Sequence, residues 1–375
     1  MGIRTVVQSK AALLCAVMVI QFGLFETGLR LKGGTEAAPE FQRLFTPDST
    51  LGYRLKAGAS ARLKTADFDT RITINAAGVR DREVGPKAPG ERRIVVLGDS
   101  LVMAVQVPVE ETFTARLERL LNGSARPPST YRVINAGVQG YGPVEEYLFH
   151  RDVTSALRPD IVILGLYAGN DAVEAANAGF RLRGGENRGE PDRPGALDRF
   201  TQWRRRMIRR SLVLQVARLR ITTLFDRFGW RPEIDPPLRT YLHDAPPGID
   251  TGLAVTRDVV SRLAALTSSQ DARLVLLLLP ARFQVDDEDY ARLKAIVARS
   301  GQTLERDRAT ERFKAALAGL DVPVLDALPP LREASRQSRV FMESTAHFTP
   351  YGHEVMARIV AGFLLDSGMT GGQDR

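Results

Sequence analysis

Arg93-Ile94-Val95-Val96-Leu97-Gly98-Asp99-Ser100 decides the reading of this 375-residue chain. Four consecutive aliphatic residues predict a strand buried on both faces, as the strands of a parallel sheet are. The run stops at Gly-Asp-Ser, so a hydroxyl stands where the strand ends. Val133-Ile134-Asn135-Ala136-Gly137-Val138-Gln139-Gly140-Tyr141-Gly142 repeats the pattern and runs into a Gly-rich turn. Ile161 to Tyr167 repeats it again and ends at Gly169-Asn170-Asp171. Arg273 to Pro280 is the clearest buried strand, and Val322-Pro323-Val324-Leu325 is a short one. Helix-like patterns separate them: Glu110–Leu121, Val144–Leu157, Thr256–Leu266, Leu304–Leu320, and a last one from Pro350 to about Leu365. Strands alternating with helices predict an α/β fold, a doubly wound parallel sheet flanked by helices.

Active sites of such folds lie along the carboxyl edge of the sheet, where Ser100, Gly140 and Asn170 all fall. Acyl transfer builds negative charge on a carbonyl oxygen, and N–H groups of glycine turns and a side-chain amide are suitable donors for it. Serine becomes a nucleophile only when a base removes its proton. The chain has four histidines, His150, His243, His347 and His353. Only His347, in His347-Phe348-Thr349-Pro350-Tyr351-Gly352-His353, combines a motif with a following helix. His353 is expected to pack or cap at the start of that helix, and Asp99 and Asp171 to serve as structural hydrogen-bonding groups.

The ordered set Gly-Asp-Ser, a turn glycine, Gly-Asn-Asp and a C-terminal His resembles the SGNH (GDSL-type) hydrolase family over roughly residues 92–365. The resemblance implies a five-stranded parallel sheet, flavodoxin-like in layout. It also implies Ser100 as nucleophile and His347 as general base. The Ser100 N–H, the Gly140 N–H and the Asn170 amide are then the oxyanion hole. No cofactor and no metal are implied. The family usually carries an Asp two or three residues before the His, and here those positions are Thr345 and Ser344. An orienting carboxylate fixes the imidazole tautomer and stabilises the imidazolium. Three alternatives stand: Glu343 reaches the ring, Asp326 reaches it from a neighbouring strand, or a backbone carbonyl orients it in a Ser-His dyad.

The expected activity is ester hydrolysis through an acyl-serine, removing O-acyl (acetyl) groups from a carbohydrate or another cell-surface ester. The alternatives are a weak or inactive glycan-binding protein and an O-acyltransferase acting on exopolysaccharide. A metallophosphoesterase would need an Asp-x-His and a Gly-Asn-His, and neither is present. Gly98-Asp99-Ser100-Leu101-Val102-Met103 is not the Gly-x-Gly-x-x-Gly of a dinucleotide site. The net charge of +8 favours anionic surfaces, but no basic stripe interleaved with aromatics points to nucleic acid. One cysteine, Cys15, rules out an intramolecular disulfide.

The apolar run from Ala11, extending to Leu29 and preceded by Arg4 and Lys10, predicts an uncleaved signal anchor within residues 1–32, with a cleaved signal peptide as alternative. Inner-membrane anchoring through residues 11–29 would place the catalytic domain in the periplasm, as in anchored bacterial members of the family. Residues 33–91 read as linker and β-rich preface, with alternating strands at Leu51–Lys56 and Arg71–Asn75. Residues 92–366 form the catalytic domain and 367–375 a tail. About residues 180–250 form an insertion, comprising a Gly- and Arg-rich loop, a helix from Trp203 to Trp230 with Arg204, Arg205, Arg206, Arg209 and Arg210 at its start, and an extended loop through Pro236-Pro237 and Pro246-Pro247.

Overall fold

Ile94, Val95, Val96 and Leu97 are buried on both faces of the central sheet in a computed structural model of the chain. The structure describes residues 37–65, 67–124, 130–179 and 236–370, together with positions 21, 27, 182 and 234. The expected anchor, the helix from Trp203 to Trp230 with its arginines, and the last residues of the tail lie outside the described residues. Among the described residues no helix is long and apolar enough to cross a membrane.

Four short strands precede the central sheet. β1 (Phe45–Asp48) pairs antiparallel with β2 (Gly52–Leu55), and β3 (Ser60–Lys64) with β4 (Asp69–Thr73). The two preface strands read from the sequence are thus present as β2 and β4, each with a partner that the sequence reading did not single out. The central sheet holds β5 (Glu91–Gly98), β6 (Thr130–Gly137), β7 (Ile161–Tyr167), β8 (Arg273–Leu279) and β9 (Val324–Asp326), in the order β6-β5-β7-β8-β9. All four pairings are parallel. The five-stranded, doubly wound expectation therefore holds. The chain runs from β5 out to β6 and then returns past β5 to β7, so the strand order reverses at β5. A crevice opens at such a switch point, outside the carboxyl ends of the strands. Ser100 follows one of the two strands beside it, and Asn170 follows the other.

Besides short helices at Ala37–Gln42 and Arg282–Val285, the helices among the described residues are α1 (Ser100–Met103), α2 (Phe113–Ser124), α3 (Pro143–Asp152), α4 (Asp171–Ala178), α5 (Pro247–Ser269), α6 (Asp287–Ala298), α7 (Arg308–Leu317), α8 (Leu328–Ser335) and α9 (Pro350–Asp366). Several depart from the sequence reading. Residues 109–111 form a separate 3-10 turn before α2, and residues 154–157 another after α3. Pro236–Tyr241, read as extended loop, is a 3-10 helix. α5 begins at Pro247 because proline fits the first turn of a helix, where its missing N–H is no loss. α7 starts only at Arg308, since Leu304 is engaged in a β-bridge with Leu242. β9 begins after Pro323, whose nitrogen cannot donate to a ladder.

α1 is one turn long and must be held from outside. Its last turn closes through Ala104 in the left-handed region, φ 54° and ψ 47°, a conformation that costs a non-glycine residue about 1–2 kcal/mol. Arg80, in the segment joining β4 to β5 and only 1% exposed, reaches under this turn. Its guanidinium donates to Met103 O at 2.7 Å, Ala104 O at 2.8 Å and Val107 O at 2.6 Å. Burial lowers its pKa to about 10, so it stays charged at neutral pH. From β6, the fully buried Asn135 donates its amide to Val102 O at 2.8 Å. A Cβ on Gly137 would stand 2.3 Å from Met103 N, so only glycine lets α1 lie this close to the end of β6.

Replacing Arg80 by Met strands the buried Met103 and Val107 carbonyls, while Ala104 O keeps Val107 N, so we expect a loss of about 2 kcal/mol or more. Thermal denaturation followed by circular dichroism reads this as a lowered melting temperature. Arg80→Lys, with a single point charge in place of the fork, restores only part of it.

Candidate active site

Ser100 occupies the first position of α1, and Asp99 caps that helix by accepting from Leu101 N at 2.8 Å. Burial raises the Asp99 pKa to about 6, against the opposing pull of the Leu101 and Ser100 N–H groups. Asp99 is thus a structural cap, as the sequence suggested.

Gly140 sits at φ +76°, a conformation that favours glycine, in the turn after β6. The turn is fastened by the preface. Tyr53 Oη in β2 donates to Gln139 O at 2.8 Å, and Tyr141 Oη donates back to Tyr53 O at 2.6 Å. A Cβ on Gly140 would stand 2.7 Å from Tyr53 Oη. Asp81 accepts from Asn135 N at 2.8 Å and from Arg132 at 2.8 Å, and so ties the preface to β6 itself.

Asn170 precedes α4 after β7. Its Nδ2 donates to Glu174 Oε1 at 2.6 Å, and its Oδ1 is buried without a partner. Asp171 accepts from Tyr167 N at 2.7 Å and fixes the turn. Its carboxyl is buried next to other acids, which pushes its pKa well up.

β6, β5 and β7 are neighbours in register, with Gly98 opposite Gly137 and Leu97 opposite Leu164. Adjacent strands lie about 4.8 Å apart, so the residues that follow the three strands leave the sheet side by side. The structure thus brings Ser100, Gly140 and Asn170 to one stretch of the sheet edge.

His347 lies in the segment between α8 and α9. A bridge between Phe341 and Phe348 closes this segment, and Met342 N donates to His347 O at 2.8 Å. Residues 344–346 line a cavity of about 260 Å³ together with Tyr167 and Gly169, so this segment faces the Asn170 turn. Burial lowers the His347 pKa to about 4, so the ring is neutral at pH 7. Its Nδ1 is buried without a partner, and so is Thr345 Oγ1.

Neither candidate carboxylate reaches the ring. Glu343 is exposed and pairs with Arg339 at 2.7 Å. Asp326 pairs with Lys314 at 2.5 Å and caps Leu328 N at 2.9 Å. Both expectations are therefore corrected. Glu343 faces solvent, and Asp326 serves the β9–α8 turn. With Nδ1 unpartnered, the structure does not supply the backbone acceptor of the third alternative either.

The other histidines have structural settings. His353 is 1% exposed, stacks on Phe113 at a centroid distance of 6.2 Å and accepts from Phe113 N at 3.3 Å. His150 is buried against Thr154 Oγ1 at 2.9 Å, and His243 pairs with Glu305 at 2.6 Å on the surface. Among the described residues no group of three or more His, Cys, Asp or Glu has the geometry to hold a metal.

The sequence reading missed Tyr53, Arg80, Asp81, Asn135 and Glu174. Only Glu174 left a local signal, its place four residues after Asn170 on the same helix.

Residues 241–374 match the family described as SGNH hydrolase-like domain, acetyltransferase AlgX. No curated protein matches the sequence. Among solved structures, the chain is similar to an acetylxylan esterase, Axe2, from Geobacillus stearothermophilus. Identity is 13% over 76% of this chain and 97% of that one, with a TM-score of 0.40. A two-domain esterase active on acetylated mannans is 11% identical over 74% of this chain and 50% of that one, with a TM-score of 0.41. A structure titled TesA is 12% identical over 73% and 98%, with a TM-score of 0.37. With its five-stranded parallel sheet between helices and this family match, the chain has an SGNH hydrolase-like fold.

Proposed function

We propose that this chain breaks an O-acyl ester of a carbohydrate through an acyl-serine at Ser100. The observation that carries the reading is the register of β6, β5 and β7, which sets Ser100 between a glycine turn and an asparagine amide at the switch point of the sheet. Ser100 Oγ attacks the ester carbonyl while His347 takes its proton. The Ser100 N–H, the Gly140 N–H and the second Asn170 Nδ2 hydrogen receive the developing oxyanion. His347 then protonates the departing alcohol. Water, or a second sugar hydroxyl, attacks the acyl-serine with His347 again as base.

The matching family's description favours acetyl as the acyl group and keeps transfer to a second hydroxyl as the alternative to hydrolysis. The cavity of about 260 Å³ beside Gly169 has room for a short acyl group or part of one sugar. A wider cleft of about 750 Å³, lined by Arg282, Arg292, Arg339 and several acids, shares Arg282, Asp289, Arg292 and Ser344 with it and suits a polar chain. An anchor at residues 11–29 with the enzyme in the periplasm fits such a substrate. A periplasm-dependent reporter fused after residue 375 should be active, and an inactive one would place the domain on the other side.

Ser100→Ala should abolish both ester cleavage and labelling by a fluorophosphonate while the melting temperature changes little. Activity at the wild-type rate would remove Ser100 from the mechanism. Asn170→Ala should lower kcat by about 10² to 10³, the usual effect of one lost oxyanion donor. A change confined to KM would make it a substrate-positioning group instead.

His347 should act without carboxylate support. Its pKa of about 4 predicts a rate that rises with pH through about 4, where the ring loses its proton, and is level from there to neutral pH. Thr345→Asp puts a carboxylate two residues before His347, and a carboxylate that reaches the buried Nδ1 favours the imidazolium, so that rise should move to higher pH while kcat increases. A pH profile that stays in place would show that the introduced carboxylate does not reach the ring.

A further inference from the structure

The amide of Asn170 and the carboxyl of Glu174 form a closed local problem. Nδ2 donates to Oε1 at 2.6 Å, and each partner then has one oxygen left over, Asn170 Oδ1 and Glu174 Oε2. Both oxygens are buried and neither has a hydrogen-bond partner. Two acceptors cannot satisfy each other, but an acceptor and a hydroxyl can. Glu174 also touches the neighbouring turn. A Cβ on Gly142, two residues beyond Gly140, would stand 2.8 Å from Glu174 Cβ and 3.1 Å from Oε2. Glu174 thus sits between the two loops that supply two of the oxyanion donors.

Its charged surroundings are acidic. α3 contributes Glu145 and Glu146, Asp99 follows β5, and Asp171 stands at the start of its own helix. β7 contributes Tyr167. α5 meets α4 through Gly252, packed on the Ala172 carbonyl, while its Arg257 is engaged with the carbonyls of Ala316 and Ala318. The 3-10 helix at 236–241 brings the buried Tyr241, whose hydroxyl goes to Gln284. Among the described residues that act on Glu174 there is no cation to hold it as an anion. Burial first, then Asp99 and Glu145, raise its pKa to about 8, against the opposing Asn170 hydrogen bond.

We propose that Glu174 is the positioning residue of the oxyanion hole, held as the neutral acid, with Oε1 accepting from Asn170 Nδ2 and the Oε2 hydroxyl donating to Asn170 Oδ1. This rests on the acyl-serine reading above. Two hydrogen bonds lock the amide plane and leave the second Nδ2 hydrogen directed at the reaction. Loss of the Oε2 proton removes the second bond and places a negative charge next to a site where an oxyanion must form. The rate therefore falls as pH rises through about 8.

The test compares full-length wild type with Glu174→Gln and Glu174→Ala. Acyl-ester turnover and the rate of fluorophosphonate labelling of Ser100 are followed against pH. Glu174→Ala should lower kcat by about 10-fold to 100-fold with KM nearly unchanged, less than deletion of the donor itself. Glu174→Gln offers the same acceptor and donor without a titrating proton. It should recover most of that loss and abolish the alkaline fall. An alkaline fall that persists in Glu174→Gln, or a loss as large as that of Glu174→Ala, overturns the proposal.

Infrared difference spectra across pH 8 provide a reading independent of turnover. Wild type should lose a carbonyl band of a protonated carboxylic acid that Glu174→Gln lacks, and a missing band also overturns the proposal. If wild type shows no Ser100-dependent labelling at any pH, the acyl-serine reading fails instead, and the infrared result still reports on Glu174.

Discussion

The close approach of α1 to the end of β6 is the constraint on which the site depends. A one-turn helix has no stability of its own, since nucleating the first turn costs more than its few hydrogen bonds return. Here α1 is pinned by Asn135 on Val102 O, by the bare backbone of Gly137 under Met103 N, and by Arg80 on three carbonyls. Release of any one of these would let Ser100 drift relative to the glycine turn beside it. Acyl transfer is sensitive to such drift, because misplacement by about 1 Å can cost about 10² in rate.

The strands β5 to β8 and the residues after three of them were legible because these strands are buried on both faces, whereas the edge strand β9 is partly exposed. That burial demands continuous aliphatic runs, and a glycine or proline must end each one. Ser100, Gly140 and Asn170 stand where those runs stop. Strand and helix ends were displaced where tertiary pairing overrode local pattern, as at Leu304, which pairs with Leu242 instead of starting α7. The contacts that complete the site could not be read in the same way. Arg80, Asp81 and Tyr53 act across 23 to 88 positions of sequence, and a charged residue in a turn-like stretch carries no mark of what it will be buried against.

The electrostatics divide the site in two. On the Asn170 side, Asp99, Glu146, Asp171 and Glu174 crowd into a region poor in cations, and all four pKa values are raised. Glu174, at about 8, is neutral at pH 7, whereas Asp99, at about 6, is mostly ionised there and holds its charge against the N–H groups of its helix cap. On the His347 side the family's usual carboxylate is replaced by Thr345 and Ser344, and burial alone sets the ring's pKa. The one acid that a triad would place behind the base is missing, although acids are plentiful a few residues from the oxyanion donors. Buried acids therefore gather on the Asn170 side, and none stands beside the unpartnered Nδ1 of His347.

The clasp between Tyr53 and the Gly140 turn also bears on the order of assembly. The preface leaves the ribosome well before β6, yet the bonds from Tyr53 to Gln139 and from Asn135 to Asp81 cannot form until Gln139 and Asn135 have been made. The hairpins formed by β1 to β4 must therefore wait, and isolated two-stranded hairpins are marginal in water. Closure of these long-range contacts comes late, because the loop entropy is lost before the contacts repay it. A nascent chain acquires Ser100 and its strand early, but the glycine turn is aligned only after the first strands have found β6. An intermediate lacking that closure would hold Ser100 without an aligned Gly140 turn, so the three strand ends come together only once the domain is complete.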